Sequence, residues 1–131
     1  MLRHLALVSL LVADYDEAIR WYVERLGFVL LEDSDRGAGK RWVRVAPSRV
    51  ATTALLLARA VNDEQRALIG RQGGGRVWLF LESDDCAADH VRLSAAGVRF
   101  RESPRLEGYG TVAVFEDLYG NPWDLIEHHV R

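Results

Sequence analysis

The chain has 131 residues, 49% of them hydrophobic, with 17 Lys plus Arg against 19 Asp plus Glu for a net charge of −2. That length supports one domain around one well-buried core, and the absence of a clustered basic face excludes a nucleic-acid partner. A single cysteine excludes an internal disulfide and suits a reducing, cytoplasmic setting.

The apolar run from Leu5 to Val12 is followed at once by acidic residues and has no small-residue cleavage site. It reads as a first strand, not as a signal peptide or a membrane span. Asp14 then stands where a helix N-cap belongs, with Asp16 and Glu17 in the first turn to complement the helix dipole. Ala18, Ile19, Tyr22, Val23 and Leu26 recur at helical spacing, and Gly27 takes the left-handed position that ends the helix. Extended runs follow at FVLLED, RWVRVA (41 to 46) and TTALLLA (52 to 58). In the connector, 59 to 75, Asn62 to Gln65 has the form of a capping box opening a short helix. Gly73, Gly74 and Gly75 close that connector as a flexible joint. They lack the lysine and helix of a phosphate cradle.

The second half repeats the first at a spacing of 70. Strand VWLFLE (77 to 82) leads to a cap at Asp84 or Asp85, a helix through Ala88, Val91 and Ala95, and strand VRFRE; TVAVFE (111 to 116) and PWDLIE (122 to 127) complete it. Asp14 falls on Asp84, Gly27 on Gly97, Val45 on Phe115 and Leu55 on Leu125. An internal repeat fixes architecture before any other signal. The expected fold is α+β, with two β-α-β-β-β modules at about 1–58 and 76–131.

The stretch DYDEAIRWYVERLGF (14 to 28), the closing FEDLYGNPWDLIE (115 to 127) and the paired modules resemble the vicinal oxygen chelate superfamily. That superfamily contains glyoxalase I, bleomycin-resistance proteins, fosfomycin-resistance enzymes and extradiol dioxygenases. The resemblance spans essentially the whole chain and implies two curled mixed sheets forming a cleft for a metal or an organic ligand. It also implies a homodimer, since many relatives complete their clefts by pairing chains.

In metal-using relatives each module gives one ligand, usually His, from its first strand and another, usually Glu, from its last. Carried onto this repeat, those positions fall on Leu7, Val77, Ala54 and Asp124. Three of the four are hydrocarbon, and one carboxylate cannot supply the several N or O donors a divalent cation needs. The expectation is therefore no metal and no other cofactor. His4 is out of register with the first-strand position and faces the other way. Glu127, His128 and His129 read as a solvated tail, and His90 as an ordinary helix residue. Cys86 stands near a helix N-terminus, where a thiolate gains stability, but Asp84 and Asp85 oppose that effect.

Period-two patterning then suggests the lining of the cleft. Val43 and Val45 suit the helix-packed core, which leaves Trp42 and Arg44 either on the open face as ligand contacts or as ordinary packing and solvated charge. Arg105, Glu107 and Tyr109 alternate before a central strand; the resemblance places them at the cleft or its rim, while the residues alone fit a salt bridge and a turn equally well. Gln72 reaches toward the cleft from the connector. Trp78 and Trp123 read as core, because tryptophan buries so much area. Two functions follow. One is a metal-independent binder that sequesters a small aromatic or anionic molecule at Trp42, Arg44, Gln72, Arg105, Glu107, Tyr109 and Asp124. The other is a glyoxalase-type lyase or isomerase, or an oxygenase, with Asp124 or Glu107 as acid or base and Arg44 or Arg105 holding an anionic substrate.

Overall fold

The structure is a computed structural model and describes residues 1–129. Its contacts group the chain into two compact units, Met1–Ile69 and a second beginning at Gly70. In the first, β1 (Leu7–Val12), β2 (Val29–Asp35), β3 (Arg41–Ala46) and β4 (Ala54–Arg59) form one mixed sheet in the order β1-β4-β3-β2. Only the β1–β4 pair is parallel. Helix α1 (Tyr15–Arg20) crosses over between β1 and β2, and a short helix α2 (Asp63–Leu68) follows β4.

The second unit repeats this plan. Strands β5 (Leu79–Glu82), β9 (Pro122–His128), β8 (Gly110–Glu116) and β6 (Arg99–Phe100) line up in that order, and β7 (Arg105–Glu107) shares an edge of β8 with β6. Helix α3 (Cys86–Ala95) is the crossover. No helix among the described residues is long and apolar enough to cross a membrane.

Local chemistry sets the helix boundaries. The Asp14 carboxylate accepts from the Glu17 N–H at 2.8 Å, and the Asp85 carboxylate from the Ala88 N–H at 3.0 Å, so Asp85 is the second cap. Asn62 accepts from the Gln65 N–H at 2.8 Å while the Gln65 side chain accepts from the Val61 N–H at 2.9 Å, a reciprocal cap reaching one residue further back than expected. After Arg20 the first helix widens to π geometry over Trp21–Arg25, with the Leu26 N–H bonded to the Trp21 carbonyl. Tyr22 is fully buried there and packs on Phe28.

Three expectations change. VRFRE is not one unbroken strand: beyond Phe100 the Arg101 N–H still donates to the Val114 carbonyl at 2.8 Å, but the return bond from the Val114 N–H goes to the Glu102 carboxylate at 3.3 Å in place of a backbone carbonyl. Glu127 and His128 do not form a solvated tail either. Both lie in β9; Glu127 accepts from the Cys86 N–H at 2.9 Å, and His128 Nδ1 sits 2.7 Å from a Glu82 carboxylate oxygen. Within the glycine joint, Gly73 is also required for space, since a Cβ there would lie 2.7 Å from the Arg76 carbonyl, while Gly74 and Gly75 have open space around them.

Strand registers correct the repeat. Leu10 pairs with Leu57 where Leu81 pairs with Leu125, and Val43 pairs with Leu57 where Ala113 pairs with Leu125. The offset is thus 71 residues in the first strand (10 to 81) and at the helix cap (14 to 85), 70 in the third strand (43 to 113), and 68 in the last (57 to 125). Because side chains alternate, an error of one residue in the first strand moves a position to the opposite face.

Candidate functional site

In the first unit, Leu10, Val12, Val43, Val45, Leu55 and Leu57 are buried against the side that carries α1. The intervening residues face the other way. Ser9, Leu11, Trp42, Leu56 and Ala58 line a cavity of about 580 Å³, entirely within this unit. An apolar floor with one aromatic wall and a few polar groups is the usual makeup of a small-molecule site. Arg36 stacks its guanidinium carbon 5.4 Å from the Trp42 ring centre, which fixes that wall.

The rim is basic. Lys40, Arg41 and Arg59 line the cavity, and none of its lining residues is acidic. Arg41 is fully engaged: Asp33 accepts from it at 2.7 and 3.1 Å and Asp16 at 2.9 Å. Tyr15, buried at 6% exposure, accepts the Arg41 backbone N–H at 3.2 Å, and its ring carries the guanidinium carbons of Arg41 and Arg59 at 5.1 and 5.4 Å. Lys40 and Arg59 make no ion pair among the described residues. Arg44 shares the face of Trp42 by alternation but gives its guanidinium to Glu32 at 2.9 Å. The hydrogen bonds from Arg44 and then Ser34 hold the Glu32 carboxyl below its ordinary value.

In the second unit, Asp124 lies on the face opposite α3, between Phe80 of β5 and Val114 of β8. It is 6% exposed and its Oδ1 has no hydrogen-bond partner. Burial raises its pKa above the ordinary value; the positive charge of Arg105 works against that shift and Glu102 adds to it. Arg105 is clasped by Glu102 and, at 2.7 Å, by Glu107. Arg105, Glu107 and Asp124 therefore belong to one face. Tyr109 stands in the β7–β8 turn with half its surface exposed. The Gln72 backbone N–H donates to Asn121 Oδ1 at 3.0 Å, bracing the turn that Asp117 and Asn121 build before β9. Trp123 is buried and stacks on Phe115, as a core residue does.

The registers also relocate the expected metal-ligand positions. Ser9 pairs with Leu56 as Phe80 pairs with Asp124, so the counterpart of Asp124 is Leu56 rather than Ala54, and the first-strand positions are Ser9 and Phe80 rather than Leu7 and Val77. A methylene surface, a phenyl ring, one hydroxyl and one carboxylate do not make a donor set for a divalent cation. Among the described residues no group of three or more His, Cys, Asp or Glu side chains lies close enough to hold one. Cys86 offers no nucleophile. Burial first, then Glu127 and the neighbouring aspartates, push its thiol up to about 11.

The model of the Glyoxalase/Bleomycin resistance protein/Dioxygenase superfamily matches residues 2–125. The chain belongs to that superfamily. An uncharacterized protein of Shewanella frigidimarina (strain NCIMB 400) is 51% identical over 121 residues, 92% of this chain and 90% of that one. Among solved structures of similar fold, TnmS3, an antibiotic binding protein from Streptomyces sp. CB03234, is 34% identical with a TM-score of 0.78, covering 97% of each chain. UcmS2 is 30% identical with a TM-score of 0.84, covering 96% of this chain and 98% of its own. Within this superfamily one scaffold hosts many activities, so residues decide the function. Sequence reasoning missed Tyr15, Lys40 and Arg59. Their signal was thin: Lys40 is the only lysine in the chain, and Arg59 was assigned to the connector.

Proposed function

We propose that this protein binds a small aromatic organic molecule without a metal and sequesters it, with the cavity beside Trp42 as the receiving surface. The observation that carries this reading is the makeup of the open face of the first sheet. Its centre is Ser9, Leu56 and Arg44, with Trp42 as a wall, where a metal enzyme needs ligands. Apolar floor and indole wall together favour a planar ring, whose transfer from water contributes about 25 cal/mol per Å² of apolar surface buried. The antibiotic binding protein TnmS3 supports the same direction by its likeness alone. On the second sheet, taken by itself, Asp124 holds a buried carboxyl oxygen without a hydrogen-bond partner. Pairing of two chains is part of this reading, and sedimentation velocity tests it.

Two measurements decide the function. Protein purified without a His tag or chelator is analysed for Zn, Ni, Mn and Fe; about one equivalent bound per chain overturns the metal-free reading. Tryptophan fluorescence is then titrated with a panel of polycyclic aromatic compounds, in the parent and in Trp42→Ala. Saturable quenching that weakens by roughly tenfold in the variant is expected. Chemical turnover of a panel member restored by added metal would instead establish the enzyme.

A further inference from the structure

The cavity beside Trp42 has a feature that a site for neutral aromatics does not need. Arg59 and Lys40 both line it, and the loop that carries Lys40 touches the Arg59 side chain. Gly39, with φ +80, leaves room for the Arg59 guanidinium, so that a Cβ there would lie 3.2 Å from Arg59 Nη2. The next residue is Lys40, whose backbone is fixed by its carbonyl accepting from the Arg36 N–H at 2.8 Å and its N–H donating to the Gly37 carbonyl at 3.0 Å. Both cations line the cavity and neither meets a carboxylate among the described residues.

The nearby carboxylates are engaged with other partners and pair with neither of these two cations. Asp16 and Asp33 are spent on Arg41, Glu32 on Arg44 and Arg36, and the Asp35 carboxylate caps the Gly37 N–H of its own loop. Two like charges lining one cavity without a counter-ion favour an anion that can meet both. Elsewhere in this chain arginines at comparable places are neutralised, as Arg44 is by Glu32 and Arg105 by Glu102 and Glu107.

We infer that the cavity selects a planar aromatic anion, its ring against Trp42 over Leu11, Leu56 and Ala58, and its carboxylate or similar acidic group between Arg59 and Lys40. This rests on the binding reading above and deepens it by naming the class of ligand. The guanidinium supplies parallel N–H donors suited to a carboxylate, and the ammonium adds a point charge. Tyr15 acts as a positioning residue, since its ring holds Arg59 at the rim.

The test uses 2-naphthoate and its neutral isostere 2-naphthamide, titrated by calorimetry into the full chain at pH 7.5. The expected result is that the carboxylate binds at least about tenfold tighter than the amide, an advantage that shrinks as salt rises from about 20 to 200 mM. Arg59→Gln and Lys40→Gln each lower naphthoate affinity by about three- to tenfold and leave the amide within about twofold. The amide thus reports on folding and on the aromatic wall in every variant. Should Arg59→Gln unfold through loss of its contact with Tyr15, the exposed Lys40→Gln and the salt series still decide. Equal affinity for acid and amide, or an acid-to-amide ratio unchanged by Lys40→Gln, overturns the anion selectivity while the aromatic site stands. If neither compound binds, the binding reading falls with it.

Discussion

Asp124→Asn tests whether the carboxyl at the centre of the second sheet is as poorly solvated as its surroundings indicate. The side chain is 6% exposed, and its Oδ1 accepts no hydrogen bond. A buried polar group without a partner costs about 1–3 kcal/mol, and a charged one more, while the attraction of Arg105 returns part of that. A net gain of roughly 2 kcal/mol for the neutral isostere follows at pH 8. For a chain of this length that corresponds to a melting midpoint higher by about 5–10 °C.

The pH dependence has a definite sign. Burial raises the folded-state pKa of Asp124 above the ordinary 3.8, so the unfolded chain gives up its proton first as pH rises. Above 3.8 the parent therefore loses stability until the folded-state carboxyl has also ionised, after which the loss is constant. Urea unfolding of both proteins at several pH values between 4 and 9 measures the difference. The gap is expected to be small at the acid end and to widen with pH. A variant no more stable than the parent at pH 8 would show that the carboxylate is satisfied, and the argument from its burial would fail.

Other outcomes follow from the same geometry. Cys86, whose thiol burial pushes up to about 11, is expected to react with Ellman's reagent at pH 8 only as fast as the chain opens, and at once in denaturant; fast labelling of the native protein would contradict its burial. Asn121→Ala removes a fully buried side chain that donates to Asp117 at 2.9 Å and accepts the Gln72 N–H at 3.0 Å, and is expected to cost about 2–3 kcal/mol in urea unfolding. Asp85→Ala is expected to cost about 1 kcal/mol by leaving the Ala88 N–H without its cap, whereas Asp84→Ala stays within about 0.5 kcal/mol; the reverse order would refute the assignment of the cap.

Much of this protein is local and was therefore legible in the chain. Asp14 and Asn62 cap their helices because a short side-chain oxygen reaches an N–H three residues on, a relation confined to one turn. Val43 and Val45 face the core, and Trp42 the open side, because alternation along a strand is local too. The order of elements in the two modules, and with it the superfamily, came from the repeat.

Tertiary structure decided what depends on pairing between distant segments. A single offset of 70 aligned the helix-ending glycines and third strands, and missed the caps by one residue, well enough to reveal the duplication. Only hydrogen-bonded registers set Ser9 against Leu56 and Phe80 against Asp124, because one residue of slip turns a strand's side chains to its other face. The fate of each arginine was equally hidden. Arg44 was open between ligand contact and solvated charge, and Arg105 between cleft and salt bridge; both are neutralised in the fold, while Arg59, assigned to a connector, lines the cavity with Lys40. Ion pairing depends on distances of a few ångströms between residues far apart in sequence, and those distances exist only once the sheet has formed.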